Sequence, residues 1–267
     1  MSKALRPYDS SPAAHPRGGG TNSSVRHADP IEFTKWTHAA QMCELQKFII
    51  QNIRMRESAP REDMSSDIVH AELNDDANPR LSFTEQVSTI RGFLVAGNDT
   101  TAAAIGNLLL ILATQPGLAD RLYADVDNDR VMNRFVEEVL RLAPPVHGLF
   151  RTAMKDVVLG GTKVPALSQL CVMYASANDD EIKFADPRKL DIERANLGTH
   201  ITFGSGIHKC VGMALARMEI KLTAQEIIRR LDNIRLAIPA DELTYLTTLA
   251  SHTLERLPRT VTLPRGE

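Results

Sequence analysis

Phe203-Gly204-Ser205-Gly206-Ile207-His208-Lys209-Cys210-Val211-Gly212 decides the reading of this chain, because it sets one cysteine on a glycine-hinged loop. Met213-Ala214-Leu215-Ala216-Arg217-Met218-Glu219-Ile220-Lys221-Leu222 follows at once, and its spacing predicts a helix. A thiol just ahead of a helix N-terminus feels the positive end of the helix dipole, which favours the thiolate. Gly204, Gly206 and Gly212 permit positive φ and a close approach of the backbone to a flat ligand. Phe203 is placed to cover one side of the sulfur, and His208 offers a donor to an acidic group. Two other readings of these residues stand beside this one. The first is a structural cysteine in a Gly-rich turn. The second is a zinc site from His200, His208 and Cys210, which lacks a second ligand pair at the usual spacing.

Upstream, Ser82 and Glu85 form a capping box that opens a long segment from about Phe83 to Thr114. It is apolar nearly all round, which predicts a buried central helix. A membrane span is disfavoured, because Asn98, Asp99 and Asn107 would sit at mid-bilayer depth. Ala96-Gly97-Asn98-Asp99-Thr100-Thr101 breaks the pattern inside this segment. Asp and Thr are poor helix formers, and Thr100 can bond the Ala96 carbonyl four residues back and distort the helix. Gly97 leaves room there for a small ligand. An acid and a hydroxyl side by side can pass protons to a bound oxygen species. The alternative is a kinked core helix carrying a solvated Asp99.

Outward from these two motifs, helices are predicted from Ile31 through Ile53, Ser65 to Leu73, Leu118 to Ala124 and Val131 to Leu142. The first of these counts Cys43, Leu45, Phe48, Ile49 and Ile53 on one face. Glu138 and Arg141 are spaced to pair on one helix face. Short strand-like runs then appear at Phe150, Val157, Thr162 and Leu170, with Gly160-Gly161 as a turn. Residues 180 to 202 read as irregular, and 236 to 263 as short strands. The fold class is therefore mainly α with a small β part. Residues 1–30, rich in Ser, Pro, Gly and Arg, read as a disordered tail, and 31–267 as the folded domain.

Bulk properties narrow the function classes. Among 267 residues, a formal net charge of −2 argues against a nucleic-acid polyanion as partner. Three scattered cysteines make no disulfide framework and fit a reducing compartment, so a cytoplasmic location is expected. There is no Gly-x-Ser-x-Gly elbow and no phosphate loop.

A single soft thiolate suits few partners, and haem iron is one of them. Phe203, Gly204, Gly206, His208, Cys210 and Gly212 together resemble the haem-binding loop of the cytochrome P450 family of haem-thiolate monooxygenases, most of all its soluble bacterial members. The resemblance implies haem b, with Cys210 on the iron. It places Ala96, Gly97, Asp99 and Thr100 in the oxygen-activation motif, and Arg151, His200 and His208 as propionate partners. It makes Glu138, Arg141 and Arg194 a buried structural clamp. Pro144-Pro145-Val146 also matches, whereas Asn178-Asp179-Asp180 departs from a pattern in which a basic residue follows the asparagine.

Implied partners are O2, a small organic substrate and a ferredoxin and ferredoxin-reductase type electron donor, with no nucleic acid and no membrane. Lys209, Arg217, Lys221, Arg229 and Arg230 form a candidate docking face for that donor, or simply a solvated helix face. Phe93 to Val95, Val146 to Phe150 and roughly Leu246 to Thr253 are the implied substrate contacts. The resemblance runs from about residue 36 to the C-terminus, and family members are usually much longer. The expectation is thus a P450-like fold lacking the N-terminal helices and strands, with a sheet edge left unpaired. Two functions follow: a monooxygenase, or a truncated haem-binding or interaction module without turnover.

Overall fold

A computed structural model describes residues 39–74, 77, 79–246 and 251–262; the expected tail at 1–30 and the apolar positions Ile31, Phe33 and Trp36 lie outside the described residues. Helix α1 (Ala39–Ser58) buries Leu45, Ile49 and Ile53, a row at four-residue spacing. Phe48 and Cys43, counted on the same face by sequence, fall off that row and are exposed. Helix α2 (Met64–His70) starts at Asp63, whose carboxylate accepts the Ser66 amide at 2.8 Å and pairs with Arg56 at 2.7 Å. Val69 joins the α1 row, with Val87 and Ile90 from the next helix, in a first apolar cluster.

Helix α3 (Phe83–Thr114) has the predicted bounds. Both halves of its capping box form: the Ser82 side chain accepts from the Glu85 amide, and the Glu85 carboxylate accepts from the Ser82 amide at 2.8 Å. At 32 residues it is about 48 Å long. By length and composition it could cross a membrane, but it serves here as a core helix at both ends. Ala104, Leu108 and Leu112 enter a second cluster with helices α4 (Leu118–Tyr123), α5 (Asp129–Leu142) and α7 (Met213–Arg230). The expectation of a helix buried throughout is corrected in the middle. Gly92 to Asp99 is exposed apart from Leu94, which is half-buried, with Phe93 40% and Val95 41% accessible.

Two antiparallel strand pairs lie between α5 and α7, and a third follows α7. Strand β1 (Gly148–Thr152) pairs with β4 (Gln169–Met173), setting Phe150 opposite Cys171 and Arg151 opposite Leu170. Strands β2 (Val157–Leu159) and β3 (Thr162–Val164) make a hairpin through Gly160 and Gly161, whose φ of 53° and 81° require glycine. Strand β5 (Asp232–Leu236) pairs with β6 (Arg259–Thr262). Among the described residues β1 has no strand on its other edge.

A short helix, α6 (Tyr174–Asn178), follows β4. Asn178 is buried and ties the chain on both sides: its amide donates to Thr202 Oγ1 and its carbonyl oxygen accepts the Ile201 amide, each at 2.8 Å. Thr202 in turn donates to the Leu140 carbonyl at 2.8 Å. These bonds fix the approach to the Cys210 loop against the end of α5. The departure at Asp179 is accommodated locally, since its carboxylate accepts from Arg188 Nε at 3.1 Å.

The clamp forms as spaced. Glu138 is 0% exposed and takes Arg141 in a bidentate pair, Nε to Oε2 at 2.7 Å and Nη2 to Oε1 at 2.8 Å. The Arg194 Nε lies 3.5 Å from Glu138 Oε1 without a hydrogen bond, while its other nitrogens hold the carbonyls of Ala185, Asp186 and Lys189. Glu138 Oε1 also accepts the Asp191 amide at 2.9 Å. One carboxylate thus joins α5 to the irregular 180–202 segment.

Candidate cofactor site

The Cys210 loop is built by its own backbone. The Cys210 amide donates to the Phe203 carbonyl at 2.9 Å and the Lys209 amide to the Gly206 carbonyl at 3.1 Å, closing a tight bend. Gly204 and Gly206 take φ of 70° and 72°, which L residues rarely adopt. Gly212 does not: its φ is −83°, and a Cβ there would meet nothing within 4 Å, so it is free of the positive-φ requirement expected from sequence. It caps α7, and Cys210 stands two residues ahead of it with an exposed, unpaired thiol.

Behind the loop lies a charged assembly that sequence reasoning missed. Glu137, next to the clamp residue, points elsewhere on α5, since adjacent helix positions are about 100° apart. Its Oε2 accepts from His200 Nε2 at 3.0 Å, and Arg217 reaches Oε1 with Nε at 2.6 Å and Oε2 with Nη2 at 2.9 Å. Burial pushes the Glu137 carboxyl up, but the bonds and charges of His200 and Arg217 outweigh it and hold the carboxyl at about 2. The Arg217 guanidinium also stacks over the Phe203 ring at 4.5 Å and interacts electrostatically with Cys210. A cation held by Glu137 therefore stands near the sulfur.

His200 is the one expected propionate partner that the structure turns away. Its side chain is 1% exposed, Nε2 is spent on Glu137, and Nδ1 accepts the Thr202 amide at 3.3 Å. Neither ring nitrogen is left for an outside anion. This also dismantles the zinc reading, and among the described residues no group of three metal-binding side chains exists. His208 is exposed on a single 3-10 turn (Gly206–His208), and Arg151 is exposed on β1 with one nitrogen on the Phe150 carbonyl at 2.8 Å. Both remain available to an anion.

On α3, Thr100 donates to the Ala96 carbonyl at 2.7 Å, the bond expected from sequence. The helix runs through it without a break. Asp99 is exposed, with Oδ1 accepting the Asn98 amide at 3.2 Å, rather than lodged in an apolar cavity. A Cβ on Gly97 would meet nothing within 4 Å.

The basic face is largely neutralised. Lys221 pairs with Asp129, Arg229 with Asp127 and Glu226, Arg230 with Glu226, and Arg217 with Glu137. Lys209 alone has no acidic partner among the described residues.

Residues 30–237 match the sequence profile of the family Cytochrome P450. The chain belongs to the cytochrome P450 family. The family's cofactor is haem b, bound through a cysteine thiolate. This P450 chain is 33% identical over 213 residues to Cytochrome P450 107B1 of Saccharopolyspora erythraea, covering 79% of this chain and 51% of that protein. It is 37% identical to the Methyl-branched lipid omega-hydroxylase of Mycobacterium bovis, covering 74% of this chain and 45% of that one. Among solved structures, CYP109Q5 from Chondromyces apiculatus superposes with a TM-score of 0.80 at 31% identity, over 88% of this chain and 59% of its own. The chain thus spans about half the length of the curated relatives it matches.

Haem fits the residues present. An exposed thiol with a cation beside it sits on a loop bent by two positive-φ glycines, and two exposed side chains able to donate, Arg151 and His208, suit carboxylate groups.

Proposed function

We propose that this P450 chain is the thiolate-bearing part of a monooxygenase acting on a small organic substrate. When bound, haem b supplies the redox-active iron that places one atom of O2 in the substrate and releases the other as water, using two electrons and two protons. Cys210 supplies the iron's thiolate. Arg217, held by Glu137, balances the sulfur's charge and keeps its donor strength steady. Arg151 and His208 hold the propionates. Asp99 takes up protons from solvent and Thr100 positions one at its hydroxyl, while Ala96 and Gly97 leave backbone-lined space beside them. Phe93, Val95, Leu149 and Phe150 present apolar surface to the substrate. Electrons come from a ferredoxin and ferredoxin-reductase type donor in the cytoplasm; the bacterial relatives and three unpaired cysteines support that setting.

The observation that carries this reading is the exposed Cys210 thiol on its amide-closed, glycine-bent loop. A second reading, haem binding without turnover, is favoured by the solvent-open α3 face from Gly92 to Asp99, where water reaches the proton-delivering pair. Reduced protein reconstituted with haem under carbon monoxide tests both. A thiolate-type Soret band, lost in Cys210→Ser, supports the ligand assignment, and its absence in the unmodified chain refutes it. O2 consumption with oxygenated product then separates turnover from binding alone.

A further inference from the structure

Three aromatic rings stack outside the candidate site, where the chain leaving α5 meets a C-terminal bridged segment. His147 and His252 lie with ring centroids 4.8 Å apart and planes 14° off parallel. Tyr245 also stacks on His252, with centroids 4.0 Å apart and planes at 25°. Backbone bonds join the same two segments: the His252 amide donates to the Pro145 carbonyl at 3.1 Å, and Val146 bridges Ser251. Tyr245 bridges Leu254 in turn.

We propose that His147 and His252 form an acid-released clasp between the start of β1 and the segment around Tyr245 and His252–Leu254. In the neutral form two imidazoles and a phenol stack as apolar plates. Protonating either ring puts a charge against a partner it must face, and protonating both sets like charges 4.8 Å apart. Facing the stack across a cleft of about 600 Å³ are Arg141, Asp179 and Arg188. Arg141 is committed to Glu138 and the Asn178 carbonyl, and Asp179 to Arg188. No carboxylate bonds either ring among the described residues. Burial holds His147 below the usual histidine range; burial first, and then His147's charge, does the same to His252.

The sign follows from linkage. The open clasp, with ordinary histidines, binds more protons than the closed one, so the closed form is favoured at neutral pH and weakens as pH falls through the ordinary value of 6.5. The clasp sets the distance between Val146–Phe150 and the segment facing it, two stretches proposed above to border substrate, yet it depends on no bound cofactor. It therefore holds or fails independently of the monooxygenase reading.

Two measurements on the whole chain test it. Ring-proton NMR titration is expected to place both histidines below the ordinary range; either one titrating at or above that range overturns the clasp. Amide protection is expected to fall on the order of tenfold between about pH 7.5 and pH 5 for Leu246 and His252, whose amides bond Thr253 and Pro145. Amides inside α5 should keep theirs. His252→Phe keeps a stacking ring that cannot ionise, so it should reduce or abolish that fall. An undiminished fall in the variant, or none in the unmodified chain, refutes the proposal.

Discussion

Removing the Glu138 carboxylate should destabilise this chain more than any other single polar change described above. Glu138 is 0% exposed, and Arg141 and Arg194 are 1% and 6% exposed at their side chains. In Glu138→Ala the Arg141 guanidinium loses its 2.7 and 2.8 Å bonds and keeps only the Asn178 carbonyl at 2.9 Å. Arg194 loses its one ion-pair partner among the described residues, and the Asp191 amide loses its acceptor. Breaking a buried pair by deleting one partner costs about 3–5 kcal/mol, because a buried charge is left behind. Against a domain stability of about 5–15 kcal/mol, that is about a fifth of the whole or more. With a urea slope of about 2 kcal/mol per molar, the unfolding midpoint should drop by about 2 M. Equilibrium urea unfolding followed by far-UV circular dichroism measures it. The triple variant Glu138→Leu, Arg141→Met, Arg194→Met removes charge and partner together, and should lie far closer to the parent than Glu138→Ala does. A loss under about 1 kcal/mol in Glu138→Ala would show that water or rearrangement satisfies the arginines, and that the clamp contributes no stability.

Other consequences are equally direct. Glu137, with its carboxyl lowered to about 2 from 4.5, contributes stability that is present above 4.5 and lost as pH falls from there toward 2. That loss is on the order of 3 kcal/mol and should be absent in Glu137→Gln, as an acid-unfolding series would show. Gly204→Ala, at φ 70°, should cost about 1–2 kcal/mol, whereas Gly212→Ala, at φ −83° with open space, should be close to neutral by thermal unfolding. In Gly148→Ala the new Cβ would fall 2.8 Å from the Val172 carbonyl and 3.0 Å from Met173 Sδ, forcing β1 and β4 apart at a cost of about 1–3 kcal/mol. Faster amide exchange along β1 and β4 would report it.

Most helices and strands were legible because their signals are local. The Ser82–Glu85 box fixed the start of α3, and Gly160-Gly161 fixed the β2–β3 hairpin. The clamp was legible because three charged residues stood where the family resemblance placed them. What escaped depends on contacts between distant segments. Nothing near His200 announces that Glu137, 63 residues earlier, takes its ring nitrogen, so a buried histidine was read as a cation for an outside anion. Nor does the apolar composition of α3 announce which of its faces finds a neighbour. The His147–His252 stack joins positions more than a hundred residues apart and carries no sequence signature of its own.

The two apolar clusters have a consequence for how this chain comes apart. One holds α1, α2 and the start of α3; the other holds the end of α3 with α4, α5, α7 and β5. Among the described residues the mid-section of α3 runs between them, exposed from Gly92 to Asp99 apart from Leu94. Cooperativity between packed units requires shared buried surface, and a lone helical tie transmits little of it. Denaturation should therefore proceed in two tiers, with the smaller α1–α2 unit opening at lower free energy than the unit that carries Cys210.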